Sequence, residues 1–440
     1  MAQTGRGGPC VRCWVGFLAA VVVVLAATGV WNPFPVVWGW LDGSAPLARS
    51  GLAWQQRLGG TPRSVTVAGE AVVVEHRTSV EGREPGTGAR LWRRDADWAA
   101  VAGAGGTAVV LAGELLRHGY QVLDPRSGAV LRADGEAVAV WTFRTAVLDV
   151  RCAGPQDCTL SAWEPRGRDP LWRAQLPGVG FVLFADNPDL PGPRPPSGDR
   201  VAPAAAGPPA LPPLVGFPVR ERTHVVDTTS GRVLQELEAP RQERVLVTAG
   251  RILRVRADAR DGTCYFSVQG SDAASGGEVW RRAGLNLRTV SGGGCAQRAD
   301  PAGQDGVLVG VGPDGRELLL DGYDGRVLWS GGAGARVVAL TGQHALVRTG
   351  DLLTCHQHGA DRPRWSRPVH AQAQAALAGP VAVVVDRRPD RVLALDARTG
   401  AVLLQLETAA RVVAVGPAGL LLADRRELGY APFNGPAGGS

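Results

Sequence analysis

Cys355-His356-Gln357-His358 gathers metal-ligand side chains in adjacent positions. On a strand, where successive side chains alternate between faces, His356 and His358 share one face and Cys355 points away. Two imidazoles can begin a metal site, but zinc asks for three or four protein ligands and no third is evident. The pair therefore reads as two solvated histidines on a hairpin surface, with no metal. His76, His118, His224, His344 and His370 are isolated, and no nucleophile elbow, phosphate loop or HExxH occurs. All 47 basic residues are Arg, which removes Schiff-base and lysine-base chemistry, since a guanidinium does not deprotonate in proteins. No catalytic residue is assigned, and cofactor-binding residues are unknown.

The carboxylates have a different logic, because they recur. Acid, three residues, glycine, then an apolar or tryptophan position returns at intervals of about 40 residues. It reads Glu84–Gly88–Trp92, Asp124–Gly128–Leu131, Asp227–Gly231–Leu234, Asp272–Gly276–Trp280, Asp321–Gly325–Trp329 and Asp396–Gly400–Leu403, with degenerate copies at 164–172 and 356–365. Each copy reads as a hairpin: an apolar run, an Asp whose side chain accepts from N–H groups just ahead, a Gly at positive φ, and a second strand. Two further short strands precede each hairpin, as at 336–340 and 344–348. Four antiparallel strands per repeat make a propeller blade. The repeated acids are turn formers rather than an acid–base pair.

The phrases at 395–407 ("LDARTGAVLLQLE") and 321–329 ("DGYDGRVLW") resemble the quinoprotein-type, or PQQ-like, β-propeller repeat, a relative of WD40/YVTN-like repeats. The resemblance covers roughly 50–432. It implies that Trp92, Trp172, Trp280, Trp329 and Trp365 dock between neighbouring blades, as does Trp54 on a last strand lacking its predecessors. Arg132, Gln235 and Leu404 replace the Trp elsewhere. Eight full repeats are followed by a partial one at 411–431 lacking its last strand, and 50–54 could supply that strand. Literal counting gives nine blades; eight is usual in the families it resembles. The expectation is an all-β, eight-bladed propeller, with nine as the alternative.

The resemblance also implies an enzyme to test for, a PQQ- and calcium-dependent oxidoreductase. Active members carry a disulfide between adjacent cysteines, and a calcium held by Glu, Asn and Asp beside a catalytic Asp. This chain has no adjacent cysteines and only four Asn: Asn32, Asn187, Asn286 and Asn434. Only Asn286 falls in a blade, and no loop offers the six to eight oxygens that calcium takes. PQQ and calcium are therefore not expected.

Residues 13–30 form an uncharged apolar run, preceded by Arg6 and Arg12 and followed by Trp31, Trp38 and Trp40. It is just long enough to span a bilayer, and the positive-inside bias keeps the N-terminus cytoplasmic. The reading is a cytoplasmic stub at 1–12, a transmembrane signal-anchor helix at 13–31, a linker at 32–48, the propeller at 49–432 and a disordered tail at 433–440. A cleaved signal peptide is the competing reading. In an exported domain, Cys152–Cys158 and Cys264–Cys295 are disulfide candidates, the second bridging neighbouring blades, with Cys355 left buried. The proline-dense stretch 187–214 reads as an insertion in a blade loop, extended or disordered, and a neutral expansion rather than a docking element. The net charge of +6 is spread along the chain, so nucleic acid is not an expected partner.

The expected function is a non-enzymatic, single-pass, extracytoplasmic scaffold, presenting loops to an envelope protein, a peptide or a cell-wall ligand. The outer-membrane β-barrel assembly lipoprotein has a similar scaffold role, although this chain lacks a lipoprotein cysteine. The rivals are the oxidoreductase and a sensor module of an envelope system.

Overall fold

The computed structural model describes residues 47–48, 50–154, 156–177, 190, 192–196, 207–219, 222–238, 243–289, 295 and 301–433. The expected anchor at 13–31, most of the linker and residues 434–440 lie outside them. Among the described residues no helix is long and apolar enough to cross a membrane.

The described chain is all-β apart from a single 3-10 turn at Gly105–Thr107. Second strands such as Ala71–Glu75 are almost wholly apolar and bury both faces, because each sheet is packed between two others. Outer strands such as Arg90–Asp95 bury Trp92 alone.

Nine antiparallel sheets result, eight of four strands and one of three. In chain order, blades 1 to 8 occupy 64–95, 98–134, 137–176, 214–238, 243–283, 303–330, 336–368 and 374–407. Blade 9 is built from both ends of the chain: Arg411–Gly416, Gly419–Asp424 and Glu427–Pro432 are completed by Trp54–Arg57, with Trp54 opposite Tyr430. The expected eight is thus corrected to nine, because every repeat forms its own sheet and the two ends form one more. Trp54 opens the closing strand rather than ending it.

Each junction holds its own apolar core. Nine buried clusters each join two successive blades, the last joining blade 9 to blade 1 through Trp54, Val65, Val72, Val74, Leu421 and Leu428. Closure leaves no outer-to-inner seam open for strand pairing with another chain. At the blade 8–9 junction the chain ends replace a turn, and Leu47, Leu52 and Phe433 fill the space. Phe433, expected in the tail, packs there and donates its N–H to Ala418 O at 2.8 Å.

Innermost strands of neighbouring blades touch one another, so these strands ring the axis. In an antiparallel blade the first–second and third–fourth connections leave from one side, and the second–third and blade-to-blade connections from the other. The Asp-x-x-x-Gly turns thus share one face, the turn face. The opposite, hairpin face carries the second–third hairpins.

Blade 4 breaks the pattern. It has three described strands, Leu214–Val219, Arg222–Asp227 and Val233–Glu238, and among the described residues no innermost one. Blade 3 ends on the hairpin face. Residues 209–213 lie on the turn face, where Pro209 O accepts from Arg144 N–H and Pro213 O from Thr228 N–H. The last residue of the stretch 187–214, Leu214, opens a strand.

Candidate functional site

The Asp side chains close their turns. Asp124, Asp272 and Asp396 each accept, through Oδ1, from two backbone N–H groups and a Ser or Thr hydroxyl ahead of them. Asp227 and Asp321 accept from Thr229 and Tyr323 N–H at 2.8 Å. Gly128, Gly231, Gly276, Gly325 and Gly400 follow at φ between 67° and 74°, a left-handed conformation that a side chain would strain. Burial works to raise the Asp124 carboxyl, but the Ser127 N–H and the Arg166 guanidinium outweigh it and hold it at about 2. These acids are consumed by backbone.

The tryptophans complete a joint between blades. The indole N–H of Trp54, Trp92, Trp172, Trp280 and Trp365 donates to the carbonyl just after the next blade's turn acid: Pro85 at 2.7 Å, Pro125 at 2.7 Å, Thr228 at 2.7 Å, Gly322 at 3.3 Å and Ala397 at 2.9 Å. Each ring lies against the turn glycine, so that a Cβ on Gly128 would sit 2.7 Å from Trp92 Cγ. Gln235 reproduces this joint, its amide N–H donating to Ala273 O at 2.8 Å. Arg94 and Arg282, two residues beyond their tryptophans, donate to Gly128 O and Gly325 O. Sequence reasoning missed both, although the Trp-x-Arg spacing repeats.

Trp329 departs from the pattern because blade 7 has no Asp-x-x-x-Gly turn. It packs against His356, with ring centroids 5.5 Å apart. His356 and His358 are therefore half-buried, which corrects the expectation of solvated side chains. His356 Nε2 pairs with Thr354 Oγ1 at 3.0 Å, and His358 Nε2 with Thr341 O at 2.7 Å. Desolvation lowers the pKa of both. Cys355 is a buried free thiol that donates to Ala397 O at 3.1 Å. Burial, then the Asp396 charge, pushes it up to about 12.

The hairpin face carries the features that exceed the repeat. In blade 5 the second and third strands run Arg251–Arg260 and Thr263–Ser271. Their neighbours stop at Glu243↔Arg256 and Ser267↔Ala283, leaving 257–266 as a two-stranded extension of four residue pairs. At about 3.4 Å per residue it projects by roughly 13 Å. Ala257, Cys264 and Phe266 pack on Leu285, Leu287 and Cys295. A disulfide joins Cys264 to Cys295. Cys295 lies in the connection between blades 5 and 6, so the bond pins this hairpin to a connecting segment rather than joining two sheets, as the sequence had suggested. The other side exposes Arg256, Asp258, Arg260 and Tyr265, the last 56% accessible. The second disulfide, Cys152–Cys158, joins facing residues on the second and third strands of blade 3.

A family model described as outer membrane protein assembly factor BamB matches residues 156–406 and 319–434. The chain belongs to this family. No curated protein matches. Among solved structures, BamB from Moraxella catarrhalis is similar at 14% identity over 81% of this chain and 98% of that one, with a TM-score of 0.34. A quinohemoprotein alcohol dehydrogenase from Comamonas testosteroni is similar at 13% identity over 89% of this chain and 78% of that one, at 0.38. A eukaryotic initiation factor is similar at 10% identity over 88% and 94% of the two chains, at 0.48.

Both disulfides join cysteines separated in sequence, by 6 and 31 residues. Asn286, the one candidate in the blade region, pairs its backbone with Val311 and caps Arg288 N–H with its side chain. Among the described residues no three His, Cys, Asp or Glu side chains converge as metal ligands.

A charged cluster lies at the junction of blades 2 and 3. Where blade 2 offers Arg132 in place of the docking Trp, the guanidinium lies 4.0 Å from the Trp163 ring centroid and 5.6 Å from that of Tyr120. Its nitrogens make no hydrogen bond and are held by ring faces. Beside it Tyr120 donates to the buried Asp149 at 2.7 Å, and Arg151 pairs with Asp134. Burial raises the Asp149 carboxyl. Tyr120, Asp134 and Asp149 are buried at the blade 2–3 junction, while Arg132 and Arg151 remain partly exposed at its edge.

Proposed function

We propose that this BamB-family propeller is a non-enzymatic scaffold, anchored in the cytoplasmic membrane by the run 13–30, that docks an extracytoplasmic envelope protein or peptide on its hairpin face. The observation that carries this is the pinned hairpin 257–266. It projects beyond its sheet, its apolar side is consumed by its own connection, and its other side offers an aromatic between charges. Rigid presentation of Tyr and Arg is what interface anchors require, because little side-chain and backbone entropy is then lost on binding. The repeated carboxylates are tied up in turns, and among the described residues no three His, Cys, Asp or Glu side chains converge as metal ligands, so function without PQQ or calcium is part of the same reading.

The test is a photo-crosslinker at position 265 of the full chain in its native membrane, with a second at the outer-strand position 279. A discrete adduct at 265, absent at 279 and lost on Arg260→Glu, is expected. Equal labelling at both positions would overturn the docking face. Saturable PQQ binding with calcium, by calorimetry on the folded chain, would overturn the non-enzymatic part.

A further inference from the structure

Within the stretch 187–214, Leu190 packs on the blade 3–4 core, and Gly192–Pro193–Arg194–Pro195–Pro196 reaches blade 6. There Arg194 N–H donates to Pro301 O at 2.8 Å and Arg194 O accepts from Gly303 N–H at 2.7 Å, forming a parallel bridge with Ala302. Gly303 opens the innermost strand of blade 6, Gly303–Gln304, so the segment adds to the edge that faces the axis.

We propose that this inner edge of blade 6 is a strand-addition site for an extended, proline-flanked peptide, and that the chain fills it with its own Gly192–Pro196. The fit is matched from both sides. A Cβ on Gly303 would sit 2.8 Å from Pro193 Cβ, so the absence of a side chain lets the segment close. Arg194 uses both of its backbone groups. Pro193, Pro195 and Pro196 have no N–H to leave unpaired at an edge that offers a single bridge. Proline-flanked chain is already extended, so ordering it on a groove loses little entropy. Main-chain bonds supply the attachment and the prolines select the ligand. The contact is autoinhibitory: while the segment is seated, the axial edge is closed to any other peptide.

Hydrogen exchange of the full chain, followed by mass spectrometry, tests this at Gly303, whose N–H is protected by Arg194 O. Arg194→Pro removes the N–H that the segment donates to Pro301 O. Its expected result is Gly303 exchange at least ten-fold faster, with the remaining blades unchanged. Arg194→Ala keeps the N–H and leaves protection as it was. A synthetic peptide of residues 190–196 restores protection in the Arg194→Pro chain and does nothing to the parent, whose edge is filled. Unchanged Gly303 exchange in a folded Arg194→Pro chain, or no effect of the peptide on it, overturns the site. If Arg194→Pro fails to fold, a chain carrying Arg194→Cys with Ala302→Cys decides: an intramolecular cross-link on mild oxidation is expected, and its absence refutes the seating.

Discussion

Replacing Gly128 with Ala tests the joint between blades more sharply than removing the tryptophan does. Two costs combine at this position. The backbone stands at φ 67°, where a Cβ costs about 1–2 kcal/mol. The new Cβ would also lie 2.7 Å from Trp92 Cγ, and relieving such overpacking costs about 1–3 kcal/mol. Gly128→Ala should therefore destabilise by about 2–5 kcal/mol. Trp92→Ala empties the slot and abandons the bond to Pro125 O, at about 3–5 kcal/mol. In the double variant the collision partner is gone and only the φ cost remains. The two costs then fall short of additivity by about 1–3 kcal/mol, well above the scatter of independent sites. Urea midpoints of the four proteins, taken where fluorescence and circular dichroism coincide, measure the cycle. Additive costs would show that Gly128 is present for its backbone angle alone, and the account of the joint would fail.

The remaining predictions address other parts of the ring. Gln235→Leu leaves Ala273 O without its donor and should cost about 1–3 kcal/mol in urea unfolding. Serine at 264 and 295 removes a loop of 31 residues, worth about 4 kcal/mol on the chain-entropy model, whereas serine at 152 and 158 removes one of 6, worth about 2; equal losses would contradict the loop argument. The Asp124 carboxyl is held at about 2, against an ordinary 3.8, so its contribution is full above pH 4 and disappears as pH falls through 2; Asp124→Asn should flatten the urea midpoint across that window. The Asp149 carboxyl is raised by burial, so the stability tied to its neutral form is complete below its ordinary value and lost as pH rises; Asp149→Asn should gain on the parent at pH 7 and not at pH 3. Cys355, at about 12, should resist iodoacetamide at pH 8 in the native chain and react after unfolding, as read by mass spectrometry.

What was legible in the chain is what lies within one repeat. Asp, Gly and Trp at fixed spacing encode the turn and the docking side chain, and Gln235 could be placed in the slot before its amide was seen to copy the indole bond. Blade number was legible by counting; the habit of related families pointed to eight, but the two chain ends pair as Trp54↔Tyr430. His356 was misplaced because its cover, Trp329, comes from the preceding blade. The destination of Arg194 was hidden for a stronger reason. Its partner lies more than a hundred residues on, at Pro301 and Gly303, and proline-rich composition carries no periodicity to betray a pairing.

The two departures from the repeat lie at different places. At the inner strands, the chain's own Gly192–Pro196 lies along the edge of blade 6. Outside the axis, the longest hairpin is tied by a disulfide to the connection beneath it and shows an exposed Tyr265. A hairpin held rigid beyond the ring is well suited to a partner that stays outside. The proposed docking face and the proposed inner edge are separate sites, and crosslinking at Tyr265 and exchange at Gly303 examine them independently.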